Sequence, residues 1–349
     1  MANTSTDSNV SSGATPRLAA DGTDAVAPIV TPAVTHAATE ALTGAHSYPV
    51  TLGVNTYSFV WSAPAMDTVR QFKDLGFSEF EVMLSPPHLS VDDLSASDRS
   101  SMAASLAASG ITLRSMNLPS LDHNLASPMR RMREYSIQLF TDAIDLAADL
   151  GVTYLVVVPG RLNPLFAPPR DMREGWMRES LDPLVAHAER RGINLALENI
   201  PIACFPDATS LGNFVRSYRS DVLSVCYDAA NAHFIGESPA DGMRALRDLI
   251  SVVHLSDTTR KTWRHDEVGL GDVPFDNVLE GLRDIQFQGT CMMEIISQDD
   301  PLNAMVRSRS KLAALGYALK SDRQSELTAS VTHEPTDGLK HGLTEKVPS

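Results

Sequence analysis

Three acids and one histidine stand out in the second half of the chain: Glu198 in ALENI, Asp228 in CYDAANAH, His254 in VVHLSD and Glu294 in MMEII. Each lies in or just after an apolar run, where an unpaired charge would be costly. Their separations are 30, 26 and 40 residues, about one structural unit each. A single carboxylate at such a place is a cap or a salt bridge, and a single histidine is a core histidine. Four at this spacing point to a shared role. Three carboxylates and an imidazole form a mixed oxygen and nitrogen ligand set. It suits one divalent cation, Mn²⁺, Co²⁺, Mg²⁺ or Zn²⁺ with Mn²⁺ favoured, and leaves positions open for a substrate. A structural zinc site would want thiolates and closed coordination, and this set has neither.

Residues so far apart meet only if the elements carrying them are arranged to bring them together. Short apolar runs recur along the chain: TLGVNTYSF (51–59), FEVML (80–84), ITLRSMN (111–117), TYLVVVPG (153–160), INLALENI (193–200), LSVCYDAAN (223–231), ISVVHLSD (250–257) and TCMMEIIS (290–297). Several are nearly continuous in apolar residues, which suits strands covered on both faces. Helical patterns lie between them. SIQLFTDAIDLAADLG (136–151) has apolar residues three and four apart and stops at a glycine. RESLDPLVAHAERRG (178–192) ends in basic residues and Gly192. MDTVRQFKDLG and MRALRDLI behave similarly.

Eight such units over residues 49–319 come close to the roughly 250 residues of a closed (β/α)₈ barrel. The expected fold class is therefore α/β, a (β/α)₈ TIM barrel in a single domain. An open doubly wound sheet is the alternative. It would carry a glycine-rich fingerprint after its first strand, and VNTYSFVWSAP has none. In a barrel the active site lies at the C-terminal strand ends, and successive ends are neighbours, so the four residues can converge. Residues 1–48, rich in Ala, Thr and Ser, and the polar segment 320–349 read as mobile tails.

The chain has 349 residues, 43% apolar and 21% charged, with 29 Lys and Arg against 43 Asp and Glu and a formal charge of −14. This balance excludes a collagen, a fully disordered chain and a disulfide scaffold. It also weighs against a nucleic-acid partner, which needs a basic surface. Cys204, Cys226 and Cys291 form no CxxC and read as buried reduced thiols, consistent with a cytoplasmic location. No apolar stretch reaches the length of a membrane span, and the first residues lack the pattern of a signal peptide.

Taken in order, ALENI, CYDAANAH, VVHLSD, RHDEVGLGDVPF and MEII resemble the xylose isomerase-like TIM barrel superfamily. Its members include sugar phosphate isomerases and epimerases, ketose 3-epimerases, inosose dehydratases, hydroxypyruvate isomerases and endonuclease IV. The resemblance covers about residues 50–318. It implies a metal site on Glu198, Asp228, His254 and Glu294, with Glu198 and Glu294 facing each other across the substrate and moving protons. Physical chemistry agrees. A proton beside a carbonyl is weakly acidic, a cation on the carbonyl and adjacent hydroxyl stabilises the enediolate, and a carboxylate in reach acts as base. The expected activity is a metal-dependent isomerase or epimerase of a small polyhydroxylated carbonyl compound, a sugar or sugar phosphate. The alternative is a lyase dehydrating an inosose or a 3-dehydroshikimate-like compound. Relatives often pair, so a homo-oligomer is possible.

The same resemblance singles out four substrate-binding candidates. Arg260 lies six residues after His254, where family epimerases have a substrate-binding arginine. Asn231 stands three after Asp228, where epimerases and endonuclease IV carry a histidine; it could bond a substrate hydroxyl but would be a poor metal ligand. His233, five after Asp228, is a possible substitute, and His265 precedes GLGD in a segment that often lines the pocket. The three-metal chemistry of endonuclease IV is disfavoured, because Asn231 replaces one of its histidines and Trp263 stands where it has an aspartate. A non-catalytic barrel would have no reason to bury three acids together. Asn55, Glu81, Asn117 and Arg161 end the first four strands and read as caps, ion pairs or the far wall of the pocket. His88 and His123 read as loop residues, and Trp61, Trp176 and Trp263 as core, surface or an apolar lid.

Overall fold

The runs of Val, Ile, Leu and Met become eight short parallel strands, and the amphipathic segments between them become helices that cover the strands from outside. The structure is a computed structural model and describes residues 47–119 and 121–319. The strands are β1 (Tyr48–Asn55), β2 (Glu79–Met83), β3 (Thr112–Asn117), β4 (Tyr154–Val157), β5 (Asn194–Glu198), β6 (Leu223–Asp228), β7 (Ile250–Leu255) and β8 (Thr290–Met293). Each pairs in parallel with the next in sequence, and β1 pairs with both β8 and β2, which closes the ring. This is the expected (β/α)₈ barrel. A ninth short strand, β9 (Tyr317–Leu319), lies alongside the start of β1, in register from Tyr48↔Tyr317.

The helices are α1 (Ala65–Asp74), α2 (Ala96–Ser109), α3 (Arg130–Asp149), α4 (Arg170–Arg191), α5 (Ala208–Tyr218), α6 (Ala229–Phe234), α7 (Pro239–Ala245), α8 (Phe275–Asp284) and α9 (Pro301–Ala314). Their ends follow local chemistry. Ser95 and Asp98 form a reciprocal capping box at the start of α2. α4 stops at Gly192 in the left-handed conformation, with Arg190 and Arg191 in its last turn.

Alternation along the strands divides the core in two. Side chains two apart share a face. Val156, Ala196, Cys226, Val252 and Met292 form a separate buried cluster. Four of them lie two residues before Glu198, Asp228, His254 and Glu294. They fill the barrel interior directly beneath those residues. The intervening side chains, such as Leu197, Val225, Val253 and Met293, pack outward into the larger core under the helices.

Some boundaries differ from expectation. β1 opens at Tyr48, inside the segment read as a tail; residues 1–46 and 320–349 of the two tails lie outside the described residues. The first strand stops at Asn55, because the Asn55 side chain accepts the Tyr57 N–H at 2.8 Å and turns the chain. Residues 57–59 are 3₁₀ helix instead of strand. In LSVCYDAAN the strand ends at Asp228, whose carboxylate caps α6 through the Asn231 N–H. MRALRDLI is helical only to Ala245, since residues 246–249 must turn the chain into β7. The three cysteines are unbridged and buried. Among the described residues no helix is long and apolar enough to cross a membrane.

Candidate active site

β5, β6 and β7 end on Glu198, Asp228 and His254, and Glu294 directly follows β8. Asp228 and His254 are register partners on adjacent strands. One ligand atom from each of the four residues lies within 4.8 Å of the others, and all four side chains are buried. His254 Nδ1 stands 3.3 Å from Glu198 Oε1, 3.3 Å from Glu294 Oε2 and 4.0 Å from Asp228 Oδ2. Neither Asp228 Oδ2 nor His254 Nδ1 takes part in a hydrogen bond. Buried polar atoms of this kind are rare without a partner. Two of them, facing the same carboxylates, fit a cation bound among the four.

The other side of His254 explains its aim. Its Nε2 lies 3.0 Å from Glu81 Oε1. Glu81 is fully buried on β2 and accepts further bonds from Asn55 Nδ2 at 2.6 Å and Ser115 Oγ at 2.6 Å. With Nε2 donating to this carboxylate, Nδ1 is the nitrogen that faces the four-residue centre and would give its lone pair to a bound cation. Carboxylates commonly orient metal-binding histidines in this way. Of the readings open for Glu81, the ion pair holds, through His254; Asn55 bonds to Glu81 and its Nδ2 also reaches Glu294 Oε1 at 3.3 Å.

Close packing of three acids away from water shifts their titration. Burial, with help from Glu294 and Asp228, pushes Glu198 up to about 7 despite the opposing His254. Burial likewise pushes Asp228 up to about 6, against His265 and with Glu294. For Glu294 burial also acts upward, but His254 and His265 outweigh it and hold the carboxyl well below the usual range. His265 is lowered by burial but raised more by Glu294 and Asp228, to about 9. A divalent cation would favour the charged form of all three acids.

Two of the four expected substrate-binding residues reach the site. His265 Nδ1 lies 3.2 Å from Glu294 Oε2 and 3.0 Å from Ser256 Oγ. Asn231 lines the cavity, and its side-chain oxygen accepts the Trp263 indole N–H at 2.6 Å. His233 and Arg260 do not line the cavity. Successive residues on a helix are about 100° apart, so His233 points about 200° away from Asn231; its Nε2 meets Asp272 at 2.6 Å. Arg260 is exposed and reaches toward Gly236. Of the tryptophans, only Trp263 covers the cavity. Trp61 is exposed, and Trp176 on α4 sits beside Arg133. His88 and His123 do lie in loops, where both are buried and hydrogen-bonded.

The four-residue centre opens into a cavity of about 260 Å³. Glu198, Glu294, His265, Asn117, Asn231, Tyr57 and Arg161 supply its polar lining, while Leu121, Ile200, Ile202, Ile296 and Trp263 supply much of the rest. Sequence reading gave Tyr57 no role; it lies in the turn set by Asn55, which no strand pattern reveals.

A family model described as xylose isomerase-like TIM barrel matches residues 69–315. An uncharacterised protein of Methanocaldococcus jannaschii is 29% identical over 194 residues, covering 51% of this chain and 63% of that protein, so the match spans less than two thirds of that relative. Fructoselysine 3-epimerase of Escherichia coli O157:H7 is 21% identical over 244 residues, 67% of this chain and 86% of that protein. Among solved structures, a D-tagatose 3-epimerase-like protein superposes with a TM-score of 0.66 at 22% identity, over 81% of this chain and all of that one, and has the same fold.

Proposed function

The chain belongs to the xylose isomerase-like TIM barrel family, and from that premise we propose that it is a divalent-metal-dependent isomerase or epimerase of a small sugar or sugar phosphate. The observation carrying this reading is the buried centre of Glu198, Asp228, His254 and Glu294 with its two unpartnered atoms. These four residues would hold the cation, for which Mn²⁺ is favoured. When bound, it supplies Lewis-acid polarisation of a substrate carbonyl and its neighbouring hydroxyl.

The side chains supply the rest. Glu198 and Glu294 border the cavity, whereas Asp228 does not, so the two glutamates are the proton carriers and Asp228 holds position. One glutamate takes the proton from the carbon beside the carbonyl, and the electron pair of the broken C–H bond is shared with the carbonyl oxygen. The other glutamate delivers a proton to the opposite face, which inverts that carbon. His265 and Asn55 fix the two oxygens of Glu294. Trp263 and Ile296 give the cavity an apolar wall beside these groups. No nucleic-acid substrate is proposed: the chain carries a net charge of −14, and the Asn231 oxygen is taken up by Trp263.

The reading is tested in D₂O with ketoses and inososes. Deuterium should enter the substrate at carbon, stop on EDTA treatment and resume with Mn²⁺ or Co²⁺. Exchange that persists in the fully chelated protein would overturn metal dependence. Loss of water from the substrate would make the protein a lyase on the same scaffold.

A further inference from the structure

Among the described residues lining the cavity, Arg161 is the one with a permanent positive charge. We propose that Arg161 anchors a carboxylate on the substrate, so that the compound processed is a small sugar acid, its carbonyl end at the four-residue centre and its anionic end at the guanidinium. This rests on the isomerase reading above and narrows its substrate class.

The backbone at Arg161 is held from two sides. On one side Asn124 acts as a strand would: its Oδ1 accepts the Arg161 N–H at 3.0 Å and its Nδ2 donates to the Arg161 carbonyl at 2.7 Å. On the other side Arg161 bridges to Ala203, and the Leu162 N–H donates to Ile202 at 2.8 Å. Gly160 makes the sharp turn before it at φ +75°. The side chain is steered as well, by a contact from Nη1 to the Leu121 carbonyl at 3.5 Å. The backbone is thereby fixed, so the exposed guanidinium starts from a defined point at the edge of the cavity.

Charge and wall chemistry favour an acid. Three carboxylates beside one divalent cation and His265 leave the centre no spare positive charge, so an anionic end of the substrate would find its counter-charge at Arg161 instead. Leu121, Ile200 and Ile202 share the cavity lining with Arg161 and offer no side-chain partners for a row of hydroxyls, while Arg161 itself is exposed at the edge of the cavity. A guanidinium fork matches a planar carboxylate in bidentate geometry. A phosphate dianion would call for more donors than one side chain. The cavity of about 260 Å³ suits a compound of sugar size.

The test uses the full-length, Mn²⁺-loaded protein and three ligands on one carbon skeleton: D-fructose, D-fructuronate and D-fructose 6-phosphate. Binding is measured by calorimetry and deuterium incorporation is followed in the same samples. D-Fructuronate should bind about 10- to 100-fold tighter than D-fructose, the worth of a charged hydrogen bond. That ratio should collapse toward one in Arg161→Met and be only partly kept in Arg161→Lys. An acid that binds no better than the neutral ketose, or an advantage that Arg161→Met leaves intact, overturns the anchor. A larger advantage for the phosphate than for the acid overturns the carboxylate assignment. Absence of deuterium in every ligand counts against the isomerase reading alone, because the affinity ratio still decides the role of Arg161.

Discussion

His254 can serve a cation only through a nitrogen that carries no proton, and it has two nitrogens. Glu81 decides between them. It sits against Nε2 at 3.0 Å, leaving Nδ1 to face Glu198 and Glu294. Glu81→Gln keeps the shape but loses the charge that holds the Nε2 proton. Mn²⁺ affinity should fall about 10- to 100-fold, measured by calorimetric titration, with the fold retained by circular dichroism. Unchanged affinity would remove Glu81 from this role. Glu294→Gln tests a different function. Its amide cannot carry the proton, so deuterium exchange should fall by at least about 10²-fold while the protein still unfolds cooperatively. Residual exchange close to wild type would take Glu294 out of the chemistry.

The loops that roof the cavity are tied to elements by few residues, and these set its shape. Gly160 lets the segment after β4 turn toward Arg161. A Cβ there would lie 2.3 Å from the Ala126 side chain, at φ +75°. Gly160→Ala should cost about 2–4 kcal/mol, read from urea denaturation midpoints. The loop carrying Trp263 and His265 is fastened to α9 by Glu267, which accepts from Arg307 at 2.7 Å and Lys311 at 2.9 Å. The hydrogen bond from Arg307 lowers the Glu267 pKa, against burial and with Lys311. A carboxylate lowered in the folded state stabilises above its unfolded value, about 4.3, and that stability is lost as the pH falls through its folded value. Glu267→Gln should therefore lower the melting temperature by roughly 1–3 °C at pH 7. The difference from wild type should vanish in acid. A difference that persists below about pH 3 would trace the loss to packing instead.

Closure of the barrel is what turns four distant residues into one centre, and it has a thermodynamic consequence. Burial, aided by the mutual repulsion of the three acids, pushes Glu198 and Asp228 upward. A cation bound only by the folded state removes that repulsion and adds its own binding free energy. At 100 times its Kd it should stabilise the protein by about 2.7 kcal/mol. Calorimetric scans should show melting rise with Mn²⁺ concentration and fall with EDTA. A melting temperature indifferent to both would mean that the centre binds no cation.

Much of this was legible in the chain itself. Apolar runs of strand length at regular intervals specify a parallel sheet, because strands covered on both faces need no alternation, and eight units without a glycine-rich fingerprint favour the closed barrel. The four residues of the buried centre could be found because each breaks such a run at its C-terminal end, one unit after the last. What stayed hidden depended on direction. Glu81 and His254 lie 173 residues apart, and no local pattern says that their side chains meet inside the ring. His233 stood as a candidate substitute for the histidine that Asn231 replaces, but its place on the helix points it at Asp272. Arg260 lies at the right offset in a loop whose path carries it away from the cavity. Sequence period fixes which residues share a face of an element, since that follows from backbone geometry alone. Which loop side chains then enter the cavity is settled by packing between elements, and only the folded barrel brings those surfaces together.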